Sequence, residues 1–242
     1  MKNRPTPTAY QAGVLARARE RSGANIIGID EVGYGAVAGP LVVAGVLSHK
    51  WWDHELARDS KTMTPKQRSR GYELFVNDPK VAVEAIFIAS LDAHQLDVLG
   101  VYEARRFLTL HVASTMYRTY PESIVFLDGD DVVSVPEVPP AHLYYLPKAD
   151  ALVPVTSAAS VVAKAFRDND MDQFSEVFPE YKLNSNKGYL TADHEAGLRA
   201  QGPSPIHRFS YPRVREYMVD SSVWRSRQQQ TEISAWTSWL RQ

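Results

Sequence analysis

The chain has 242 residues, 44% of them hydrophobic, enough for one sizeable core and a small appended part. Its 27 Lys and Arg against 28 Asp and Glu leave no net charge that would by itself mark a nucleic-acid partner. The absence of cysteine excludes disulfides, thiolate catalysis and cysteine-ligated zinc.

The amino-terminal residues Met1 to Pro7 lack the apolar stretch of a signal peptide. Residues Thr8 to Arg21 then read as a short amphipathic helix ending at Gly23. Ile26 to Asp30 is a brief β-branched run, the mark of a buried strand, and it closes on the acid pair Asp30–Glu31. A glycine-rich turn leads to a second strand, Leu41 to Leu47. The longest apolar run, Ala36 to Leu47, is broken by Gly39, Pro40 and Gly45 and is too short to span a bilayer. A cytoplasmic protein without membrane contact is therefore expected. From Arg58 to Arg70 the chain is basic, with Arg58, Lys61, Lys66, Arg68 and Arg70 against Asp59 alone. Val81 to Ser90 is a third strand. Three strands joined by loops and one short helix suggest an antiparallel meander.

A helical pattern runs from Val101 to Tyr120, with Ala104, Leu108, Val112 and Thr115 on one face. Ser123 to Asp128 is a fourth strand, again closing on an acid, and His142 to Leu146 a fifth. The stretch from Asp128 to Asp150 is acidic, carrying Asp130, Asp131 and Glu137 as well, against Lys148 alone. An acidic cluster with basic flanks suits a protein that holds cations and grips a polyanion, although ordinary surface patterning yields similar counts. Ala158 to Phe178 is a long helix burying Ala159, Val162, Phe166, Phe174 and Val177. Thr191 caps one more helix, which Gly202 stops. The order implies a mixed α/β sheet with helices on its faces, residues 1–220 forming the main domain and 221–242 a polar, Trp-containing tail.

The acids at the strand ends carry the chemistry. Neighbours on a strand point to opposite faces, so Asp30 and Glu31 share one site only if the backbone leaves the strand there, which Gly33 and Gly35 permit. Carboxylates gathered at neighbouring strand ends repel unless a divalent cation neutralises them. Hard ions such as Mg²⁺ or Mn²⁺ take oxygen ligands and keep waters, leaving room for a phosphate. Two such ions about 4 Å apart would suit phosphodiester hydrolysis. An acid pair at a strand end is, taken alone, more often a solvated turn.

Six segments in register resemble the ribonuclease HII family of type 2 ribonucleases H. They are Gly28-Ile29-Asp30-Glu31-Val32-Gly33-Tyr34-Gly35 with Ala38-Gly39-Pro40, then Asp59-Ser60-Lys61, then Leu127-Asp128-Gly129. Ser157 to Lys164 with Arg167-Asp168, Lys187-Gly188-Tyr189 and Ile206-His207-Arg208 complete the set. The resemblance implies a ribonuclease H-like fold, a mixed five-stranded sheet flanked by helices with a helical carboxy-terminal extension. It also implies a metal-dependent endonuclease that cuts the RNA strand of RNA–DNA hybrids, using Mg²⁺ or Mn²⁺. Its four acids correspond to Asp30, Glu31, Asp128 and Asp150, with Asp130, Asp131 and Asp168 as rivals for the fourth place. Here the family's Lys-Gly-Asp reads Lys148-Ala149-Asp150.

For nucleic-acid contact the resemblance implies Gly33, Tyr34, Gly35, Ser60, Lys61, Lys148, Ser160, Lys164 and Tyr189. Ser160, Lys164 and Arg167 lie at helical spacing on one polar stripe, which can equally be a solvated face. The family's Gly-Arg-Gly is Gly33-Tyr34-Gly35 here, which removes an arginine and bears on cleavage at single ribonucleotides in DNA. Tyr34 can also be a packed aromatic. His194 and His207 are expected to be structural. The related ribonuclease HIII carries an amino-terminal domain for which the 29 residues before Asp30 leave no room. A non-catalytic hybrid-binding protein on the same fold is the alternative. Gln230 to Trp236 is similar to a sliding-clamp peptide, while Ile233, Trp236 and Leu240 also fit a docked helix. A monomer is expected.

Overall fold

The computed structural model describes residues 7–21, 25–49, 51, 63–77, 83–129 and 134–218. Asp59-Ser60-Lys61, Asp130, Asp131 and the tail from 219 onward lie outside these residues, as does the expected stop at Gly23. The chain divides into two compact units. One comprises Met1–Tyr34, Leu41–Ser90 and Arg105–Asn169, the other Gly35–Pro40, Leu91–Ala104 and Asp170–Gln242.

The first unit carries the sheet. Its strands are β1 (Ile26–Val32), β2 (Leu41–Ser48), β3 (Ala85–Leu91), β4 (Ile124–Asp128) and β5 (Leu143–Leu146), in the spatial order β3-β2-β1-β4-β5. β1 pairs antiparallel with β2 and parallel with β4, and β4 pairs parallel with β5. This is the mixed five-stranded sheet expected. The first strand runs two residues further than Asp30, because Glu31 and Val32 stay paired with Val43 and Val42. The chain leaves the strand only at Gly33, whose φ of 95° belongs to the region that favours glycine.

Strand parity assigns the faces. Ile26, Gly28 and Asp30 alternate onto one face of β1, and the register places them beside Ser48, Val46 and Ala44 of β2. Helix α6 (Pro154–Val177) covers that face, packing Ala158, Ala159, Val161, Val162 and Ala163 against the β2 valines. It starts four residues before the expected Ala158, since proline is well suited to the first turn of a helix. Helix α4 (Val101–Thr119) covers the opposite face, where Met116 and Val112 close on Gly45.

Helix α1 (Ala9–Arg19) is set by a reciprocal Thr8–Gln11 capping box. Val14, Leu15 and Ala18 on it pack with Ile26, Ile124, Phe126 and Leu146. A thirteen-residue helix, α2 (Pro65–Asn77), follows β2, and its Phe75 joins the α6 core. Helix α3 (Ala93–Leu99) follows β3, its start encoded by Asp92 and Gln95. The short α5 (Ala149–Leu152) lies between β5 and α6.

Gly28 is where the sheet and α6 come closest. A Cβ at this position would stand 2.3 Å from the Thr156 backbone nitrogen and 2.5 Å from the Val155 carbonyl carbon. Two residues along β1 is about 6.6 Å and four along a helix about 6 Å, so Asp30 and Ser160 come level.

In the second unit, the segment from 35 to 40 is held by backbone bonds to Gly188 and Ile206 and by an antiparallel bridge between Ala38 and His207. The remaining elements are a 3-10 turn, Pro179–Tyr181, with α7 (Leu183–Asn186), α8 (Ala192–Gln201) and α9 (Pro212–Arg215). Thr191 caps α8 and Gly202 ends it.

Gly28→Ala forces α6 off the sheet and should destabilise the protein by about 1–3 kcal/mol or more, the overpacking range. Gly13→Ala, with open space at its Cβ on α1, should stabilise it by about 0.5–1 kcal/mol. Chemical denaturation of both variants beside the wild type checks the pair. Equal stabilities would contradict the close approach.

Candidate active site

Asp30, Asp128 and Asp150 converge. One carboxylate oxygen from each lies within 4.8 Å of the others. Asp30 and Asp150 are buried and Asp128 half-buried. Asp30 reaches the site from β1 on the α6 face. Asp128 follows Ile124 and Phe126 by parity and so points to the same face at the end of β4, before Gly129 turns the chain with a φ of 110°. Asp150 enters from α5, and Lys148 just before it adopts a left-handed conformation with φ 62°.

That turn aims the Ala149 amide at Asp128, whose Oδ1 accepts its hydrogen at 2.6 Å. Ala149, where the sequence resemblance implies a glycine, occupies the first helical position and is fully buried in the core, so the methyl group is accommodated.

Burial, then Asp128, then Glu31 push the Asp30 carboxyl well above the usual carboxylate range. A hydrogen bond from Ser160 opposes the shift and Asp150 adds to it. Asp30 Oδ1 also accepts from the Glu31 amide at 2.8 Å. A hard cation with ligands at about 2.1 Å holds opposed oxygens about 4.2 Å apart, so the three oxygens stand near closing distance. All-oxygen donors with excess negative charge in a buried place fit Mg²⁺ or Mn²⁺.

Glu31 is not part of this triad. Because β1 continues through it, its side chain goes to the α4 face, where Oε1 lies 3.9 Å from Arg105. The expected departure from the strand after Asp30 does not occur. Asp168, a rival for the fourth acid, pairs with Arg68 at 3.1 Å and with Lys164. Ser160 is buried against Asp30 and Arg167 is fully buried, so the expected polar stripe is largely interior.

Tyr34 is 39% exposed, with the Arg105 guanidinium 5.3 Å from its ring centre. Arg105 was not among the residues anticipated. Its only signal was the Arg105-Arg106 pair in the helix pattern.

In the second unit, Tyr189 is also exposed, at 40%. Its backbone is fixed by a chain of bonds. The Ser204 amide donates to His207 Nδ1 at 3.0 Å, which makes His207 Nε2 the donor to His194 Nε2 at 2.9 Å. His194 Nδ1 then donates to the Tyr189 carbonyl at 3.0 Å. Gly188 precedes it with φ 84°, and a Cβ there would sit 2.4 Å from the Ala38 carbonyl oxygen. Buried Arg208 donates to the Gly39 and Pro40 carbonyls at 3.0–3.1 Å. Both histidines are structural in this arrangement, as expected.

The family model described as Ribonuclease HII matches residues 27–214, more than three-quarters of the chain. A ribonuclease HII from Lactobacillus gasseri is 37% identical over 194 residues, covering 79% of this chain and 72% of the relative. The chain belongs to the ribonuclease HII family. It is thus an endonuclease that hydrolyses the RNA strand of RNA–DNA hybrids with Mg²⁺ or Mn²⁺ as cofactor.

Solved structures agree on the fold. Bst-RNase HIII in complex with Mn²⁺ has a TM-score of 0.64 at 18% identity, covering 86% of this chain and 73% of the other. The ribonuclease HII of the PCNA:RNase HII complex from Archaeoglobus fulgidus has a TM-score of 0.61 at 25% identity, covering 81% and 95%. No helix among the described residues is long and apolar enough to cross a membrane.

The raised Asp30 pKa sets a sign for stability. An unfolded aspartate ionises near 3.9, the folded one at higher pH. In that interval the folded state binds the extra proton, so stability falls as pH rises. In EDTA, the melting temperature should therefore decline as pH rises from about 4 through the folded pKa, and Asp30→Asn should flatten the decline. At neutral pH, Mg²⁺ or Mn²⁺ at 100-fold its Kd should add about 2.7 kcal/mol to the wild type and less to the variant. A melting temperature indifferent to the ion would count against the site.

Proposed function

We propose that Asp30, Asp128 and Asp150, joined by Glu31, hold the ions of a two-metal phosphodiester hydrolysis leaving 5′-phosphate and 3′-hydroxyl ends. The observation that carries this reading is the convergence of three carboxylates within one ion's reach, two of them buried. When bound, the ions supply Lewis acidity for water activation and for charge on the departing oxygen. The chain's own contribution is placement. β1 and β4 fix Asp30 and Asp128 at adjacent strand ends, the Ala149 amide orients Asp128, and Ser160 orients Asp30. Glu31 lies one residue from Asp30, and its charge acts on the Asp30 carboxyl.

For substrate contact we propose Gly33, Tyr34, Gly35, Lys148, Ser160, Lys164 and Tyr189, with Ser60 and Lys61 from the segment outside the described residues. Ser160 acts through Asp30 and Lys164 through its pairing with Asp168, so both serve mainly as positioning groups. Exposed Tyr34 and Tyr189 offer faces for sugar or base packing. The substrate includes single ribonucleotides embedded in duplex DNA. The protein works as a cytoplasmic monomer, with a catalytic domain over residues 1–220 and a tail over 221–242. Gln230 to Trp236 in that tail is the clamp-binding peptide, a proposal supported by the relative solved with PCNA.

Asp30→Asn, Asp128→Asn and Asp150→Asn should each lower cleavage by at least roughly 10²-fold, the scale of losing one preorganised charge-stabilising group. The assay uses two labelled duplexes, a full RNA–DNA hybrid and DNA with one ribonucleotide. Wild-type cleavage of the hybrid alone would remove the single-ribonucleotide substrate, and full activity in any Asn variant would remove that acid from the site. Truncation after Gln230 should abolish retention on an immobilised sliding clamp while leaving hybrid cleavage unchanged. Undiminished retention would refute the clamp peptide.

A further inference from the structure

The two imidazoles bonded in series behind Tyr189 leave no lone pair for another proton. An amide hydrogen is fixed in place, so the bond from the Ser204 amide at 3.0 Å makes His207 Nδ1 an acceptor and puts the His207 hydrogen on Nε2. That hydrogen goes to His194 Nε2 at 2.9 Å, which leaves His194 Nδ1 as the donor to the Tyr189 carbonyl at 3.0 Å. Both lone pairs of the neutral pair are thus filled. A proton on His194 Nε2 would set two N–H groups against each other across 2.9 Å. A proton on His207 Nδ1 would oppose the Ser204 amide, and it could take the Ser204 hydroxyl at 3.0 Å only by turning away from that amide. Either way a ring has to turn.

Both rings are fully buried, so a turning imidazole meets protein and not water. From the 3-10 turn, Tyr181 presents its ring to both, with centroids 4.6 Å from His207 and 5.9 Å from His194, and its hydroxyl donates to the Gly202 carbonyl. Glu180 precedes Tyr181 on that turn. Arg208, next to His207, directs its guanidinium to the Gly39 and Pro40 carbonyls. On α8, Asp193 is exposed and Glu195 bonds Arg199 and Tyr217, while beyond α7 Lys187 pairs with Asp172. Burial holds the His194 pKa below the ordinary histidine value, against the bond to the Tyr189 carbonyl. The neutral pair is therefore the resting state at neutral pH.

We infer that the His207–His194 pair positions Tyr189 on its substrate, and that one added proton loosens this contact. The inference rests on the reading of Tyr189 as a substrate-contacting residue. The Tyr189 carbonyl also accepts from the Thr191 amide at 2.9 Å, but that bond is local. His194 alone links the carbonyl through His207 to the Ser204 backbone, so the pair carries information about its protonation to the exposed ring.

The test measures hybrid binding by the full chain in EDTA at constant ionic strength, between about pH 8 and about pH 5, the span in which histidine changes charge. The quantity read is the ratio of Kd in Tyr189→Ala to Kd in the wild type, which cancels charge effects elsewhere in the molecule. It should be roughly tenfold at the upper end, the scale of losing one aromatic contact to a nucleotide. It should fall to about threefold or less at the lower end, as protonation removes the advantage of the ring. His194→Asn keeps an N–H near the place of Nδ1 but cannot take a proton, and its ratio should not vary with pH. In histidine-labelled wild type, ¹⁵N spectra should show hydrogen on His207 Nε2 and His194 Nδ1 at high pH, and a second proton arriving where the ratio falls. A ratio of about ten at every pH would overturn the inference alone. So would the opposite tautomers, or rings that stay neutral while the ratio falls. A ratio of one throughout would remove Tyr189 from the substrate contact, and the inference with it. Should His194→Asn fail to fold, the wild-type ratio and spectra decide.

Discussion

Mutual repulsion among three carboxylates, two of them buried, is the constraint around which the sheet-bearing unit is arranged. At an effective dielectric of about 20, two like charges 4 Å apart cost about 4 kcal/mol. The polypeptide offsets part of this with oriented donors, the Ala149 amide on Asp128 and the Ser160 hydroxyl on Asp30. Burial first, and then the charges of Asp128 and Glu31, hold the Asp30 carboxyl well above the usual carboxylate range. The cluster is therefore a preorganised cation site whose stability and function oppose each other. The surrounding packing has to hold it against its own charge. That explains the rigidity invested nearby, in the backbone contact of Gly28 with Thr156 and in the left-handed turn at Lys148.

Strand parity divides the labour of the two adjacent acids. Asp30 faces α6 with Gly28 and Ile26, whereas Glu31 faces α4, near Arg105 and Tyr34. The triad is thereby built from one face of β1 and β4, and the opposite face is left for a different kind of group. Glu31 still raises the Asp30 pKa across the strand, so the two sides remain electrostatically coupled even though their carboxylates are not neighbours. Two further residue pairs, Glu31 with Val43 and Val32 with Val42, decide this separation.

Much of this was legible in the chain. The β-branched runs ending in Asp30 and Asp128 marked two strands, and their terminal acids do meet. Asp150 could be found only through resemblance, because its approach depends on a left-handed lysine that no local propensity predicts. The end of β1 was less legible, for a related reason. Gly33 and Gly35 suggested that the strand breaks early, but hydrogen-bond pairing with β2 is long-range information and carried the strand two residues further. Helical spacing put Ser160 and Arg167 on one stripe of α6 but could not show that tertiary packing buries both. Arg105 was unreadable for the same reason. Helical spacing gives its neighbours on α4 but not the ring that Gly33 turns toward it. The start of α3 is written locally, in the reciprocal Asp92–Gln95 capping box.

The second unit shows what the motif residues without catalytic chemistry are for. Arg208 satisfies the carbonyls of Gly39 and Pro40, His207 bridges to Ala38, and Gly188 admits the Ala38 carbonyl where any side chain would collide. Asn186 donates to the Tyr181 carbonyl and accepts from the Gly188 amide, so the backbone entering Tyr189 is bonded on both sides. His194 then holds the Tyr189 carbonyl itself. A ring left exposed on so constrained a backbone has only its side-chain torsions to lose when it meets a ligand. The ordering cost is met during folding instead of at each binding event, which is the physical use of burying two neutral histidines and an arginine beneath it.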